Sequence, residues 1–310
     1  MKGFLKFCGT VISICLLLGI ILIGIGIYKG GLPETLAKIA NGDYSFTEDQ
    51  FKYVVEFFSK EGDDDWNSNA FNKNYPVLKD ASETKEYDLT NTKELVLDLG
   101  GINVVMEEAD VSACVVEFEE IQKYQAYEEE GILYIKAINS NVVGKIKGKL
   151  HIKIPKDKSW EAVTLSAGAG TFELSSITCN DFKVEIGAGT LKINDVNCGE
   201  LECQLGAGSV EFTDTVVEGN AKFDAGAGQT KYTGMIGGDL KAVSAAGEMI
   251  ITLRDTTEED HNYKLTCAAG SLKAGSMELG GLAGEKKVDN DASTNYDITS
   301  TAGSFVLKFE

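Results

Sequence analysis

Ala167-Gly168-Ala169-Gly170, Ile186-Gly187-Ala188-Gly189, Leu205-Gly206-Ala207-Gly208 and Ala225-Gly226-Ala227-Gly228 are one corner written four times. Three degenerate copies follow: Ser244-Ala245-Ala246-Gly247, Cys267-Ala268-Ala269-Gly270 and Ser300-Thr301-Ala302-Gly303. The closing glycines, Gly170, Gly189, Gly208, Gly228, Gly247, Gly270 and Gly303, stand 19, 19, 20, 19, 23 and 33 residues apart. A period near 19 residues with strand-like flanks predicts stacked coils of one supersecondary unit.

Counting from each closing glycine, positions +2 and +4 are apolar in most copies: Phe172 and Leu174, Leu191 and Ile193, Val210 and Phe212. Positions +1 and +3 are mostly polar, as in Thr171 and Glu173 or Thr190 and Lys192. This period-2 alternation is a strand with one face inside. Positions -5 and -3 repeat the pattern before the corner, in Leu165 and Ala167, Val184 and Ile186, Cys203 and Leu205. A third apolar cluster near +7 to +9 includes Ile177, Cys179, Val196 and Cys198. Each coil therefore has two clear strands and a shorter third.

The last corner position is glycine in all seven copies. A site that never admits a Cβ needs a positive φ or a very close backbone approach. The first glycine becomes Ala245, Ala268 and Thr301, so that site tolerates a side chain. The middle residue is always alanine, which reads as an inward corner with room for one methyl. Upstream, Leu95–Val105 looks like an earlier coil with a Gly-Gly corner, and Val115–Phe118, Leu133–Ile135 and Leu150–Pro155 continue it less regularly. Residues 94–310 then amount to about eleven coils, a rod of about 50 Å. Insertions at Thr256–Tyr263 and Leu279–Thr294 are expected to project as loops, where partners of solenoids bind.

The chain has 34 glycines and 3 prolines, which suits a sheet protein with permissive corners and fully donating strands. Its formal net charge is -19; residues 1–31 carry three lysines and no acid, leaving -22 on the remainder. That surface repels phosphate backbones, so nucleic acid is not an expected partner. Its ordinary consequence is solubility.

Phe4–Tyr28 is apolar apart from Lys6, and the 22 residues Phe7–Tyr28 are uncharged, long enough to span a bilayer. Secretory leaders have shorter apolar cores and a small-residue cleavage site. Residues 4–28 are therefore read as an uncleaved anchor. Lys2, Lys6 and the amino terminus favour the short end inside, although Lys29 and Lys38 flank the other side. The Gly26-x-x-x-Gly30 spacing falls at the membrane edge and carries no helix-pairing expectation. Ser45-Phe46-Thr47-Glu48 resembles a capping box. Phe51, Val54, Val55 and Phe58 then lie at helical spacing, predicting an amphipathic helix over 47–61. That helix is expected to pack on the first coil, covering an end that solenoids need covered, or else on the membrane surface. Asp63-Asp64-Asp65 and the asparagines up to Asn74 read as a linker.

The fold class is thus all-β: a single-stranded parallel β-solenoid, or β-helix, with coils of about 19 residues. One N-terminal transmembrane helix and a short amphipathic helix precede it. The expected organisation is residues 1–31 as signal anchor, 32–84 as juxtamembrane helix and acidic linker, and 85–310 as the solenoid. The corners, together with Leu97-Asp98-Leu99-Gly100-Gly101-Ile102-Asn103-Val104, resemble the bacterial putative-adhesin family, a domain of unknown function. The resemblance spans roughly residues 85–310. It implies a β-solenoid and no catalytic motif, and the anchor with its acidic linker resembles membrane-bound members from Gram-positive bacteria. Some members of the family accompany envelope-stress regulators.

Of the five cysteines beyond the anchor (Cys114, Cys179, Cys198, Cys203 and Cys267), four fall at core ladder positions. Cys179 and Cys198 are equivalent on adjacent coils, at a spacing that permits either buried thiols or a disulfide. No zinc-like ligand spacing is present. His151 reads as a surface histidine beside Lys149, and His261, after Glu258-Glu259-Asp260, as part of a solvated turn. Glu173 and Glu211 alternate with Lys192 and Lys231, a pattern of cross-coil ion pairs rather than paired catalytic acids. Trp66 and Trp160 lie outside the regular repeats.

These readings converge on a non-enzymatic, membrane-anchored extracytoplasmic interaction module, with no cofactor and no metal. Envelope-stress sensing and adhesion are the two roles considered, with a protein or cell-envelope partner, or self-association. The alternative is a carbohydrate-active enzyme on a β-helix, which would show as a concave groove lined by Tyr, Trp and acids.

Overall fold

In a computed structural model the described residues are 71–139, 148–281 and 283–310. The expected anchor at 4–28, the helix at 47–61 and the Asp63–Asp65 stretch lie outside them. Among the described residues no helix is long and apolar enough to cross a membrane.

The fold is all-β and solenoid-like. Its first part contains β1 (Leu78–Tyr87), β2 (Glu94–Gly100), β3 (Ile102–Ala109), β4 (Cys114–Glu129), β5 (Ile132–Ile138) and β6 (Lys149–Pro155). The regular repeats form β7 (Ser159–Val217), which winds through three coils, β8 (Ala221–Ile236), β9 (Leu240–Ser244) and β10 (Glu248–Leu253). The last part contains β11 (His261–Cys267), β12 (Ser271–Ala274), β13 (Met277–Gly280), β14 (Gly284–Val288), β15 (Thr294–Ser300) and β16 (Ser304–Phe309). β1 runs across the 84/85 boundary placed by the sequence, so the β structure starts earlier than expected.

Two long sheet faces meet at the glycine corner. On face A, before the corner, the rungs run β4–β5–β2–β7–β8–β9–β15–β11–β14. On face B, after it, they run β4–β6–β3–β7–β8–β10–β16–β12–β13. A shorter third face pairs Val217 with Ile236 and buries Ile177, Cys179, Val196 and Cys198.

Both ends are inverted with respect to chain order. The first coil, β2–β3, lies between β5–β6 and β7. The last coil, β15–β16, lies between β9–β10 and β11–β12. The parallel rungs are therefore β5, β2, three turns of β7, β8, β9, β15 and β11. Among the described residues that is nine rather than the expected eleven, a stack of about 40 Å. Val115–Phe118 belongs to β4, which runs antiparallel to both β5 and β6 and is not a coil.

β4 and β1 cover one end of the stack, and β13 and β14 cover the other. These edge strands discourage pairing with another chain: β1 carries a register break between Ala81 and Glu83, and β14 exposes Glu285, Lys286 and Lys287. The insertion at 279–294 is thus mostly an edge strand and not a projecting loop. The insertion at 256–263 is also packed down. The Glu258 carboxylate accepts from Ser276 N at 2.6 Å and Ser276 Oγ at 2.7 Å, and Tyr263 Oη donates to Glu258 O at 2.9 Å.

The core is a set of ladders of one residue per rung. At the position before the corner Phe223 sits between Cys203 and Ala242, all fully or nearly fully buried. The large ring fits because its neighbours are small. It meets Tyr232 and Phe212 edge-on, with centroids 5.4 Å and 6.0 Å away.

The corner glycines stack backbone on backbone. A Cβ on Gly208 would stand 2.1 Å from Gly189 O, and one on Gly303 would stand 2.2 Å from Gly247 O. Close approach is common to all seven corners, while φ enters the left-handed region only at Gly170 and Gly208. The middle alanine does not point inward. Ala188, Ala207, Ala227, Ala246, Ala269 and Ala302 are exposed and form a ridge of methyls. Alternation carried on from the preceding strand would place them inside, but the chain turns one residue earlier.

Candidate functional site

A second set of corners lies six residues after the first. Ser176, Asp195 and Asp214 adopt φ of 56°, 57° and 50°. Short polar side chains tolerate this left-handed conformation best. A Ser/Asp repeat at the 19-residue period is the sequence signal for it. Arg254, the chain's single arginine, pairs with Asp214 at 2.6 Å.

A groove of about 750 Å³ runs across five rungs of face A. Its floor holds Phe182, Leu201, Ala221 and Leu240. One rim carries Asp181, Glu200, Asn220, Asp239 and Asn295 at the same position on successive rungs. The other carries Lys183, Glu202, Lys222, Lys241 and Asp297. Alternating polar and apolar residues from 181 to 186 and in each equivalent stretch place these side chains outward.

The first rim is wired along the stack. Asn220 Nδ2 donates to Glu200 Oε1 at 3.2 Å, and Asp239 N donates to Asn220 Oδ1 at 2.8 Å. Asn295 N donates to Asp239 Oδ1 at 2.7 Å, and Asn262 Nδ2 to Asn295 Oδ1 at 3.3 Å. On the second rim Lys222 Nζ meets Glu202 Oε1 at 2.8 Å, and Lys264 meets Asp297 at 3.2 Å. The Lys222 hydrogen bond holds the Glu202 carboxyl below its usual range, and the Glu185 carboxylate raises the Lys183 ammonium. Cross-rung pairs thus line this groove, and others lie at the start of face B, where Lys149 meets Glu119 and Lys153 meets Glu117. The expected Glu173, Lys192, Glu211 and Lys231 ladder on face B makes no ion pair within 4.0 Å among the described residues. A step of one rung brings equal heights together, but these long, exposed or half-buried side chains gain little from closing the gap.

The groove has no Tyr or Trp in its lining. Trp160 is buried elsewhere, under Lys158, whose ammonium lies 4.8 Å from the ring centroid. Among the described residues no group of three or more His, Cys, Asp or Glu side chains is arranged to hold a metal ion.

His151 faces outward on face B between two carboxylates, with Nε2 2.8 Å from Glu107 Oε1 and Nδ1 3.3 Å from Glu117 Oε2. His261 departs from its expected solvated turn. It opens β11, is 4% exposed, and stacks on Tyr296 with centroids 4.0 Å apart. Its ring nitrogens meet Thr256 Oγ1 at 2.8 Å and Thr294 Oγ1 at 2.7 Å. The alternation starting at His261 and running through Tyr263 and Leu265 was the available signal. Burial pushes its pKa below the usual 6.5, with the Asp260 charge opposing. A depressed folded-state pKa stabilises above the unfolded value, and that contribution is lost as pH falls. Stability of the β11–β16 end is expected to fall between about pH 7 and pH 5, and His261→Asn to flatten that slope. An NMR titration placing the His261 ring above 6.5 would contradict the assignment.

Cys114, Cys179, Cys198, Cys203 and Cys267 are buried and unbonded. Burial pushes the Cys114 and Cys198 thiols up to about 12 and raises Cys179 and Cys203 as well. The thiolate is the reactive form. These four thiols are expected to stay unlabelled by a thiol reagent at neutral pH until denaturant is added; labelling of the native protein would show an open core.

Parallel rungs and stacked glycine corners define a β-solenoid-like domain. The chain belongs to the Toastrack DUF4097 family, whose model matches residues 92–309. No curated protein matches it. Among solved structures it is similar to a putative cell adhesion protein from Clostridium sporogenes, at 9% identity and a TM-score of 0.32, covering 74% of this chain and 99% of that one. It is also similar to a putative adhesin from Bacteroides fragilis, at 11% identity and a TM-score of 0.39, covering 75% of this chain and 100% of that one.

Proposed function

We propose that this protein is a non-enzymatic interaction module, tied to the cell membrane by residues 4–28 as a single span with the β domain extracytoplasmic. The observation that carries the reading is the face A groove: a long, regular display of side chains, four of whose five acids are engaged by amides and lysines instead of being isolated in a desolvated pair. The uncharged run Phe7–Tyr28 and the lysines before it support the anchor and its orientation. The partner is a protein or an envelope polymer, and the role is sensing of envelope stress or adhesion.

Two measurements test this. Protease added to intact cells is expected to remove the β domain; full protection would place it on the other side of the membrane. The purified full chain in detergent micelles is expected to release no reducing ends from cell-wall glycan. Turnover would replace the binding reading with the carbohydrate-active one.

A further inference from the structure

We propose that the face A groove binds a linear β-linked glycan, uncharged or bearing amino groups, laid along the stack. The assignment rests on the interaction-module reading above and names its ligand. The groove crosses the face of a sheet whose backbone groups are already spent between rungs, so a peptide cannot enter it by strand addition, which requires a free edge. Recognition falls to side chains alone.

Those side chains repeat. Asp181, Glu200, Asn220, Asp239 and Asn295 occupy one position on five successive rungs, a row of about 19 Å at about 4.8 Å per rung. An extended peptide presents same-face groups every two residues, about 6.6 Å, and drifts out of step within two rungs. Successive sugars of an extended β-linked glycan face opposite ways, and two sugars advance about as far as two rungs, so every second sugar presents the same groups to an equivalent pair of rims. Asp181 and the carboxylate oxygens of Glu200 and Asp239 not used along the rim offer acceptors for hydroxyl or ammonium donors, and Lys241 offers donors to ring and hydroxyl oxygens. The floor between the two rims is sheet backbone, with Phe182, Leu201 and Leu240 buried beneath it, so the rims alone supply the contacts.

Charge narrows the class. The lining holds five carboxylates against three lysines, in a chain of net charge -19. Anionic polymers are repelled by both. Asp181 and Lys241 take part in no ion pair among the described residues, so their groups face outward to a ligand.

The test is co-sedimentation of the full chain in detergent micelles with cellulose, chitin and deacetylated chitin. Retention on at least one is expected. The Asp181→Ala/Lys241→Ala variant, which breaks none of the ion pairs described, is expected to weaken it about tenfold, the loss of one or two hydrogen bonds to charged groups. An Ala207→Ser change on the corner ridge is expected to leave it unaltered. No retention of the native chain on any of the three, or equal retention of the groove variant, would overturn the assignment. A groove that captures a protein in cells but retains no glycan would leave the interaction module standing and remove the glycan alone.

Discussion

Gly208→Ala is expected to cost about 3 kcal/mol and to lower the melting temperature by about 6–12 °C. Two effects combine at this corner. Its φ of 126° is one that side chains rarely adopt, and the new methyl would stand 2.1 Å from Gly189 O and 2.8 Å from Gly189 N. The obstacle is the backbone of the neighbouring rung, which cannot swing aside as a flexible side chain does. Relief requires the two rungs to part, and that loosens the ladders on both sides of the corner. Gly280→Ala provides the contrast, because nothing lies within 4 Å of the methyl it adds. Thermal melts of the two variants that coincide would show that the corner is not held by backbone contact.

Removing residues 293–310 is expected to unfold far more than it deletes. In a solenoid stacked in chain order, the loss would trim the final coil. Here β15 and β16 are internal, and Tyr296, Ile298, Phe305 and Leu307 are buried between β9–β10 on one side and β11–β12 on the other. Truncating one buried aromatic to alanine costs about 3–5 kcal/mol. Losing two with two aliphatics and their rung pairing approaches or exceeds the whole stability of an ordinary domain, about 5–15 kcal/mol. Limited proteolysis of the truncated protein is therefore expected to cut back to about residue 256, through β11–β14. Continued protection of 261–280 would mean that β11–β12 stack directly on β9–β10.

The sequence made the coils plain and left their order hidden, for a physical reason. Every rung presents the same in-out alternation, so Leu265 and Ile298 are equally good neighbours for Ala242, and nothing local says which arrives. The inversion is fixed by long-range packing at the ends. β14, with Glu285-Lys286-Lys287, has no alternation to announce a strand, since an edge strand of this kind is meant to be charged. The middle alanines failed to report their direction because one methyl is tolerated both inside and outside. His261 was disguised by the three acids before it. The groove could have been read in part: Asp181, Glu200, Asn220 and Asp239 share the corner period.

The most direct measurement is photo-crosslinking in native cells from the full-length protein, with a probe replacing Lys241 in the groove and, separately, Ala207 on the corner ridge. The account predicts specific adducts from position 241 and none from position 207. Adducts confined to the ridge, or none from either position while the protein remains in the membrane, would contradict the groove as the surface through which this protein acts.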